Sequence, residues 1–284
     1  MIYERVSKSY LQEPVYRANL SHFLYNTVPG GLLRLIATRK ICNRIYGFFQ
    51  KTKRSAKRIK SFAKQYNISV DDFAKYQTFN DFFIRKEVRR VDSGANTLIS
   101  PADSCLTVYH ITKDTFLQIK ERRYTISRLI GDQELAKDYD GGYALVFRLA
   151  VYDCHRFCFP TDGEIICQKK ISGILDSVNM KETGKCSLCT NARIVHVLAT
   201  DLLGQVVFVE VGAMLVGKMV HTHTAHSFAK GEEKGYFEFG GSTIVMLLKP
   251  AAVAIDEDIL QQSQKAIETK VLYGERIGKG TLQC

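Results

Sequence analysis

The chain has 284 residues and a net charge of +11, and 45% of its residues are hydrophobic and 24% charged. This composition is typical of a folded protein with a sizeable core and contains no low-complexity tract. No apolar run reaches the length of about 18 residues that a membrane-spanning helix needs. A chain that crosses a membrane is therefore not expected.

Positive charge is concentrated in residues 1–64, which carry 14 of the 40 Lys and Arg side chains but only two of the 29 acidic ones. The remainder of the chain, with 26 basic and 27 acidic side chains, is close to neutral. Such a basic segment typically faces anionic lipid or nucleic acid. Nucleic acid is not expected, because the basic residues become sparse where strand-like segments begin.

Apolar residues recur at three- and four-residue spacing between residues 14 and 66, as at Leu32, Leu35 and Ile36. Lys and Arg fill the gaps, so the pattern predicts amphipathic helices, with the Pro-Gly-Gly sequence at 29–31 separating two of them. A helix with one apolar and one basic face suits a lipid interface. A helix packed on the protein's own core, with a solvated basic face, would show the same periodicity.

The segment that follows contains Thr78, which is predicted to cap a short helix whose Phe79, Phe82 and Phe83 dock on the body of the protein. From about residue 96, short β-branched and aromatic runs alternate with Gly, Asp and Asn. This pattern indicates a mainly antiparallel, barrel-like or sandwich-like body.

The predicted fold class is therefore α+β, with two regions. Residues 1–95 form a basic helical region that associates with membranes, and residues 96–284 form a β-rich domain. There is no repeated strand-helix alternation and no phosphate-binding glycine fingerprint, so neither a doubly wound fold nor a nucleotide cofactor is expected.

Two glycines and Ser242 interrupt a strand-like apolar run in FEFGGSTIVMLL, residues 237–248. Ile244 stands where a hydrolase G-x-S-x-G elbow would need glycine. A serine in this setting can attack the carbonyl of Gly241, and the resulting ester can break by β-elimination to leave a pyruvoyl group. The alternative is a β-bulge or a tight bend in a core strand.

A serine that attacks a carbonyl needs a base and donors for the developing oxyanion. His155 lies near Asp153 in LAVYDCHRFCFPTDG, ahead of a predicted turn, and Asp103 lies in a turn within SPADSC. Turns at strand ends often build functional sites. Asp103, His155 and Ser242 thus fit the roles of orienting group, base and nucleophile, although a lone histidine is more often structural.

Several segments carry a family resemblance that spans nearly the whole chain. They resemble, in the same order, motifs of the phosphatidylserine decarboxylases, a family of self-processing pyruvoyl enzymes. In chain order the segments are FNDFFIR, SPADS, LQIKERRYTISRLIG, LAVYDCHRFCFPTDG, VGAMLVGKM and KGEEKGYFEFGGSTIVML.

The resemblance implies cleavage between Gly241 and Ser242, with Asp103 and a histidine assisting as a charge-relay pair. The products would be a β chain of residues 1–241 and an α chain of residues 242–284 that begins with a pyruvoyl group made from Ser242. In this family, that group forms a Schiff base with the amine of phosphatidylserine and withdraws electrons as CO2 leaves. The product is phosphatidylethanolamine.

The sequence departs from the family pattern at one position that matters for chemistry. The family often has two histidines three residues apart, whereas here the first is His155 and the second position is Cys158. We expect His155 to serve both self-cleavage and decarboxylation. Other histidines could take over one role. These are His196, His221, His223 and His226.

A zinc site is a competing interpretation of Cys186 and Cys189, with His196 or the histidines of 221–226 as further ligands. Structural zinc sites usually combine two short ligand pairs, and only one cysteine pair is present. The pyruvoyl group derived from Ser242 is therefore the only expected cofactor, with no metal.

The predicted partners are phosphatidylserine, an anionic membrane surface contacted by residues 1–64, and the two chains of one precursor. The sequence does not decide whether the protein is a homodimer. Because the polar N-terminus lacks a signal-peptide core, we expect a peripheral protein on the cytoplasmic face of the cell membrane. Two alternatives are a non-enzymatic basic membrane-docking module, or the same pyruvoyl chemistry on another serine lipid or an amino acid.

Overall fold

The computed structural model describes residues 1–13, 18–70, 72–87, 89–119, 122–179, 186–214, 218–240 and 242–281. Gly241, a residue of the predicted cleavage site, lies outside them. The described helices are α1 (Ala18–Asn26), α2 (Val28–Ala37), α3 (Lys40–Gln50), α4 (Ile59–Gln65), α5 (Phe79–Phe83), α6 (Ile126–Ile130), α7 (Gln133–Lys137) and α8 (Glu257–Gln264).

Strands dominate the chain after residue 96, as predicted. The described strands are β1 (Ile2–Glu4), β2 (Ser9–Leu11), β3 (Thr97–Ile99), β4 (Ser104–His110), β5 (Thr115–Ile119), β6 (Arg122–Thr125), β7 (Tyr143–Leu149), β8 (Arg156–Cys158), β9 (Gly163–Ile171), β10 (Arg193–Thr200), β11 (Gly204–Gly212), β12 (Met219–His221), β13 (Ser227–Phe228), β14 (Glu233–Phe237), β15 (Ser242–Leu248), β16 (Val253–Ile255), β17 (Glu268–Val271) and β18 (Arg276–Gly280).

Ten strands form one large sheet in the order β13-β9-β10-β11-β15-β7-β4-β17-β1-β2. Neighbouring strands are antiparallel except for β1 and β17, which run parallel. Two three-stranded sheets accompany it, β12-β14-β8 and β16-β18-β3, and β5 pairs with β6. The structure confirms the α+β class and the mainly antiparallel pairing.

Strand β15 lies near the middle of the large sheet and is buried on both faces. Ile244 and Met246 point into one apolar cluster, while Val245 and Leu247 point into another on the opposite face. Because successive side chains of a strand alternate between faces, burial on both sides produces a continuous apolar run rather than an alternating one. This explains the sequence TIVMLL that follows Ser242.

The first 13 residues form two strands that the sequence analysis did not assign. Strand β1 pairs with β17, and β2 pairs with β1 at the sheet edge. The Arg5 guanidinium makes ion pairs with Asp256, Asp258 and Glu275 at distances of 2.7–2.8 Å. The N-terminus is therefore joined to the body, while the division into two regions at residue 95 stays a prediction.

The predicted helix boundary at residues 29–31 is wrong in detail, because α1 and α2 separate at Thr27. Thr27 Oγ1 accepts a hydrogen bond from the Gly30 N–H at 3.1 Å, and Pro29 lies in the first turn of α2. Proline is tolerated there because its missing N–H would have no helical partner. A Cβ at Gly30 would lie 1.9 Å from the Phe23 carbonyl oxygen, so only glycine permits this approach.

Helix α5 confirms the predicted docking of its phenylalanines. Thr78 accepts a hydrogen bond from the Asp81 N–H while the Asp81 carboxylate accepts one from the Thr78 N–H, which is a capping box. Phe79, Phe82 and Phe83 are buried in a third apolar cluster that also includes residues of α4. This small helical cluster packs against the body of the protein at Phe239, close to the Gly-Gly-Ser segment.

Candidate active site

Ser242 is the first residue of β15, where it pairs with Gly212 of β11 on one side and Leu149 of β7 on the other. Its side chain is fully buried, and its Oγ has no hydrogen-bond partner among the described residues. A buried hydroxyl without a partner costs about 1–3 kcal/mol. Such an orphaned polar group calls for an explanation, and chemistry at this atom is one.

His155 precedes β8 and is fully buried. Its Nδ1 lies 3.0 Å from the main-chain carbonyl oxygen of Asp153, and its Nε2 has no partner among the described residues. Since Nδ1 must donate to that carbonyl, the neutral ring carries its free lone pair on Nε2. Burial lowers the pKa of His155 to about 4, so the imidazole is a neutral proton acceptor near pH 7.

The segment that leads to Ser242 runs alongside His155. The Phe237 N–H donates a hydrogen bond to the His155 main-chain carbonyl at 2.9 Å. The nearby backbone of Gly240 partly offsets the effect of burial on the pKa of His155. Gly240 has a φ of 140°, a conformation that residues with a Cβ rarely adopt. The glycine is thus required where the chain turns past the imidazole.

Helix α5 supports this segment through a contact that sequence reasoning missed. The Asn80 side-chain carbonyl accepts a hydrogen bond from the Phe239 N–H at 3.2 Å. The Phe239 ring packs on Phe79 and Phe83, and Phe83 in turn lies 4.0 Å, centroid to centroid, from the His155 imidazole. The sequence signal for this contact was Asn80, a polar residue next to the phenylalanines of FNDFF.

Asp103 is buried, and its described partners are the Arg89 guanidinium and the Tyr273 N–H, which donates at 2.8 Å. Burial raises the pKa of Asp103, against the opposing effect of Arg89. Neither described partner is His155, whose ring is held instead by the Asp153 carbonyl. The charge-relay role of Asp103 stays a prediction.

Cys158, which occupies the position of the second family histidine, is buried beside the turn that carries Asp103. Its Sγ lies 3.5 Å from the Pro101 carbonyl oxygen. Burial raises the pKa of this thiol to about 12, so it stays protonated at neutral pH. A protonated thiol cannot act as a base, which supports the choice of His155 for that role.

His196 and His221 lie close to Glu210, a residue that the sequence analysis did not single out. His196, Glu210 and His221 bring their ligand-type atoms within 4.8 Å of one another. His221 Nε2 lies 2.6 Å from one Glu210 oxygen, and Lys234 Nζ lies 2.5 Å from the other and 3.2 Å from His196 Nε2. The sequence signal for this cluster was Glu210, an acidic residue in the otherwise apolar segment VVFVEVG.

The ammonium of Lys234 lies within hydrogen-bond distance of two members of this cluster, Glu210 and His196. Burial opposes ionisation of Glu210, but Lys234, His221 and His196 together outweigh it and the pKa of Glu210 falls to about 2. Burial lowers the pKa of His196 to about 3. The cluster therefore fits an internal ion pair between Glu210 and Lys234 beside a neutral His196. Its partners do not include Cys189, whose Sγ lies near the Thr125 carbonyl.

Comparisons with known proteins identify the family to which the chain belongs. A family model described as phosphatidylserine decarboxylase matches residues 77–279, which is more than half of the chain. The chain belongs to the phosphatidylserine decarboxylase family and is an enzyme. This membership decides against the alternative of a non-enzymatic membrane module.

Curated relatives extend the similarity over almost the full length. Phosphatidylserine decarboxylase proenzyme 2 of Clostridium acetobutylicum is 41% identical, with 98% of each chain covered. The proenzyme of Ruminiclostridium cellulolyticum is 40% identical over 98% of this chain and 96% of its own. That of Chlamydia pneumoniae is 36% identical over 97% of this chain and 96% of its own.

None of the described helices combines the length and the apolar character that crossing a membrane requires.

Proposed function

We propose that this chain is a proenzyme that cuts itself between Gly241 and Ser242 and then decarboxylates phosphatidylserine to phosphatidylethanolamine. The observation that carries the proposal is the buried, unpartnered Oγ of Ser242, which follows a segment that hydrogen-bonds the main chain of His155, whose Nε2 is also unpartnered among the described residues. The printed names of the relatives, all phosphatidylserine decarboxylase proenzymes, support the same activity.

In the proposed self-cleavage, His155 Nε2 accepts the proton of Ser242 Oγ as that oxygen attacks the carbonyl of Gly241. The C–N bond breaks and an ester forms. Loss of the Ser242 Cα proton then expels the Gly241 carboxylate and leaves a dehydroalanine. Hydrolysis consumes one water, releases ammonia and leaves the pyruvoyl group at residue 242.

The residues present fit such a group, because the orphaned Oγ marks a buried polar position at the start of β15. When present, the pyruvoyl group supplies an electron sink for the loss of the carboxylate. The chain itself excludes water through Phe83 and Phe239, which pack beside His155. His155 Nε2 can accept a proton that the substrate ammonium gives up, and can then return it to the substrate carbon.

The lipid substrate is favoured over a free amino acid by the surface of α2 and α3. Large apolar side chains on these helices are exposed, among them Leu32 at 64%, Ile41 at 66% and Phe48 at 68%. Lys and Arg lie between them, and each contributes on the order of 1 kcal/mol at an anionic surface. We infer that residues 1–64 dock the enzyme peripherally on the cytoplasmic face of the cell membrane.

The mass of the purified protein tests the self-cleavage. Two chains are expected, and the smaller one, residues 242–284, should have a blocked N-terminus. Ser242→Ala and His155→Gln should both give one intact chain and no CO2 from carboxyl-labelled phosphatidylserine. An active preparation that consists of a single uncut chain would refute the proposal.

A further inference from the structure

A cavity of about 350 Å³ opens beside the proposed active site. We propose that it binds the phosphodiester of the lipid head group through Arg44, Lys170 and Lys218, and so delivers the serine amine to residue 242. This inference rests on the proposed function and identifies the phosphodiester as the part of the substrate that the enzyme recognises. A phosphodiester is an anion that lysine and arginine side chains bind with charge-assisted hydrogen bonds.

The cavity is lined by several positive charges. Four of its lining side chains are cations, Arg44, Lys170, Arg193 and Lys218, and none of the described lining residues is acidic. Arg193 is already committed, because it donates to main-chain carbonyls at 2.6–2.8 Å. The other three have no ion-pair partner among the described residues. Like charges around one cavity repel each other, and a bound anion relieves that repulsion.

The cavity lies beside the strand that begins with Ser242. Gly212, which lines it, is the residue that pairs with Ser242 across β11 and β15. The Lys218 carbonyl accepts a hydrogen bond at 2.9 Å from the N–H of Glu238, four residues before Ser242. A Cβ at Gly212 would lie 3.0 Å from a methyl carbon of Leu175. The missing side chain thus leaves the cavity open beside the reacting strand.

Helix α3 connects the cavity to the proposed membrane-facing surface. Ile41, Ile45 and Phe48 are exposed and recur at helical spacing. Arg44 lies on the same side of the helix, since residues three and four apart share a face. The proposed lipid-contacting stripe therefore carries one of the cavity's cations. A lipid whose acyl chains remain in the bilayer can place its head group between α3 and β11.

Steady-state kinetics on neutral detergent micelles test the assignment. The double variant Lys170→Gln/Lys218→Gln should be fully processed, as seen in its mass, and should keep kcat within about twofold. Its KM for phosphatidylserine should rise about tenfold or more, because two charge-assisted contacts are lost. The matched control is Lys265→Gln/Lys279→Gln, which removes the same charge from exposed positions outside the cavity and should leave KM unchanged.

Competition distinguishes a head-group site from a general anion site. Glycerophosphoserine should inhibit the wild type and should inhibit the cavity variant about tenfold less, whereas inorganic phosphate at equal concentration should inhibit weakly. Equal inhibition by both anions would overturn the head-group assignment. So would a cavity variant whose KM matches the wild type. A wild-type chain that is uncut or inactive would instead refute the proposed function.

Discussion

The main-chain N–H of Phe239 donates a hydrogen bond to the side chain of Asn80, so helix α5 holds the segment three residues before Ser242. Asn80→Ala removes this acceptor and leaves the buried N–H unpaired. We expect the weaker positioning to raise the activation free energy of self-cleavage by about 1.4 kcal/mol, which slows the reaction about tenfold. The appearance of two chains over time measures the rate, and Gln65→Ala, an exposed polar change in α4, should process at the wild-type rate.

His155 makes stability depend on pH with a defined sign. Its pKa is about 4 in the folded protein, against 6.5 for an unperturbed histidine. Between these values the unfolded chain binds the proton and the folded chain does not, so stability decreases as pH falls from 6.5 to 4. The slope from this one group is at most about 1.4 kcal/mol per pH unit.

Urea unfolding at several pH values measures this contribution. The uncut variants Ser242→Ala and Ser242→Ala/His155→Gln are the appropriate pair, because self-cleavage does not complicate either of them. The variant that also carries His155→Gln should lose less stability between pH 6.5 and 4 than Ser242→Ala alone. Equal slopes would contradict a buried neutral imidazole at this position.

Lys234 neutralises Glu210 inside the apolar core, where a carboxylate without a partner is costly. Lys234→Met is expected to destabilise the fold by about 3–5 kcal/mol, because Glu210 remains buried and unpaired. The double variant Lys234→Met/Glu210→Gln should recover much of this loss. Denaturant midpoints measure both effects, and a single variant as stable as the wild type would show that Glu210 is not held as a carboxylate.

The exposed apolar side chains of α3 predict a specific loss of membrane binding. Ile41→Asp/Phe48→Asp should fold normally, since both side chains are mostly exposed, but should sediment with anionic vesicles more than tenfold less. Lys265→Gln/Lys279→Gln is the control for charge, because it also lowers the net charge by two units, at exposed positions outside residues 1–64. Unchanged vesicle binding by the α3 variant would count against docking through this surface.

The features that could be predicted are those with a local signal in the sequence. The cap at Thr78 and the short helix after it follow from side-chain chemistry within four residues. The apolar run after Ser242 indicates a buried strand for the same local reason. The fold class and the strand-rich region after residue 96 also follow from patterns of this length.

The features that could not be predicted depend on partners far apart in the sequence. Asp103 is paired with Arg89 and Tyr273, and only the fold brings Tyr273 to it across 170 residues. The strand at Ile2–Glu4 is defined by its pairing with β17, not by its own short sequence. Glu210 and Lys234 likewise meet only because the fold brings β11 and β14, which belong to different sheets, close together.

The residues that would form the α chain are interleaved with those of the β chain. Strand β15 lies between β11 and β7, and β17 lies between β4 and β1, while Arg5 reaches Asp256 and Glu275. A cut after residue 241 therefore cannot release either part while the sheet persists. Unfolding of the cut enzyme would also separate two molecules, so its midpoint should depend on protein concentration, unlike that of the uncut Ser242→Ala chain.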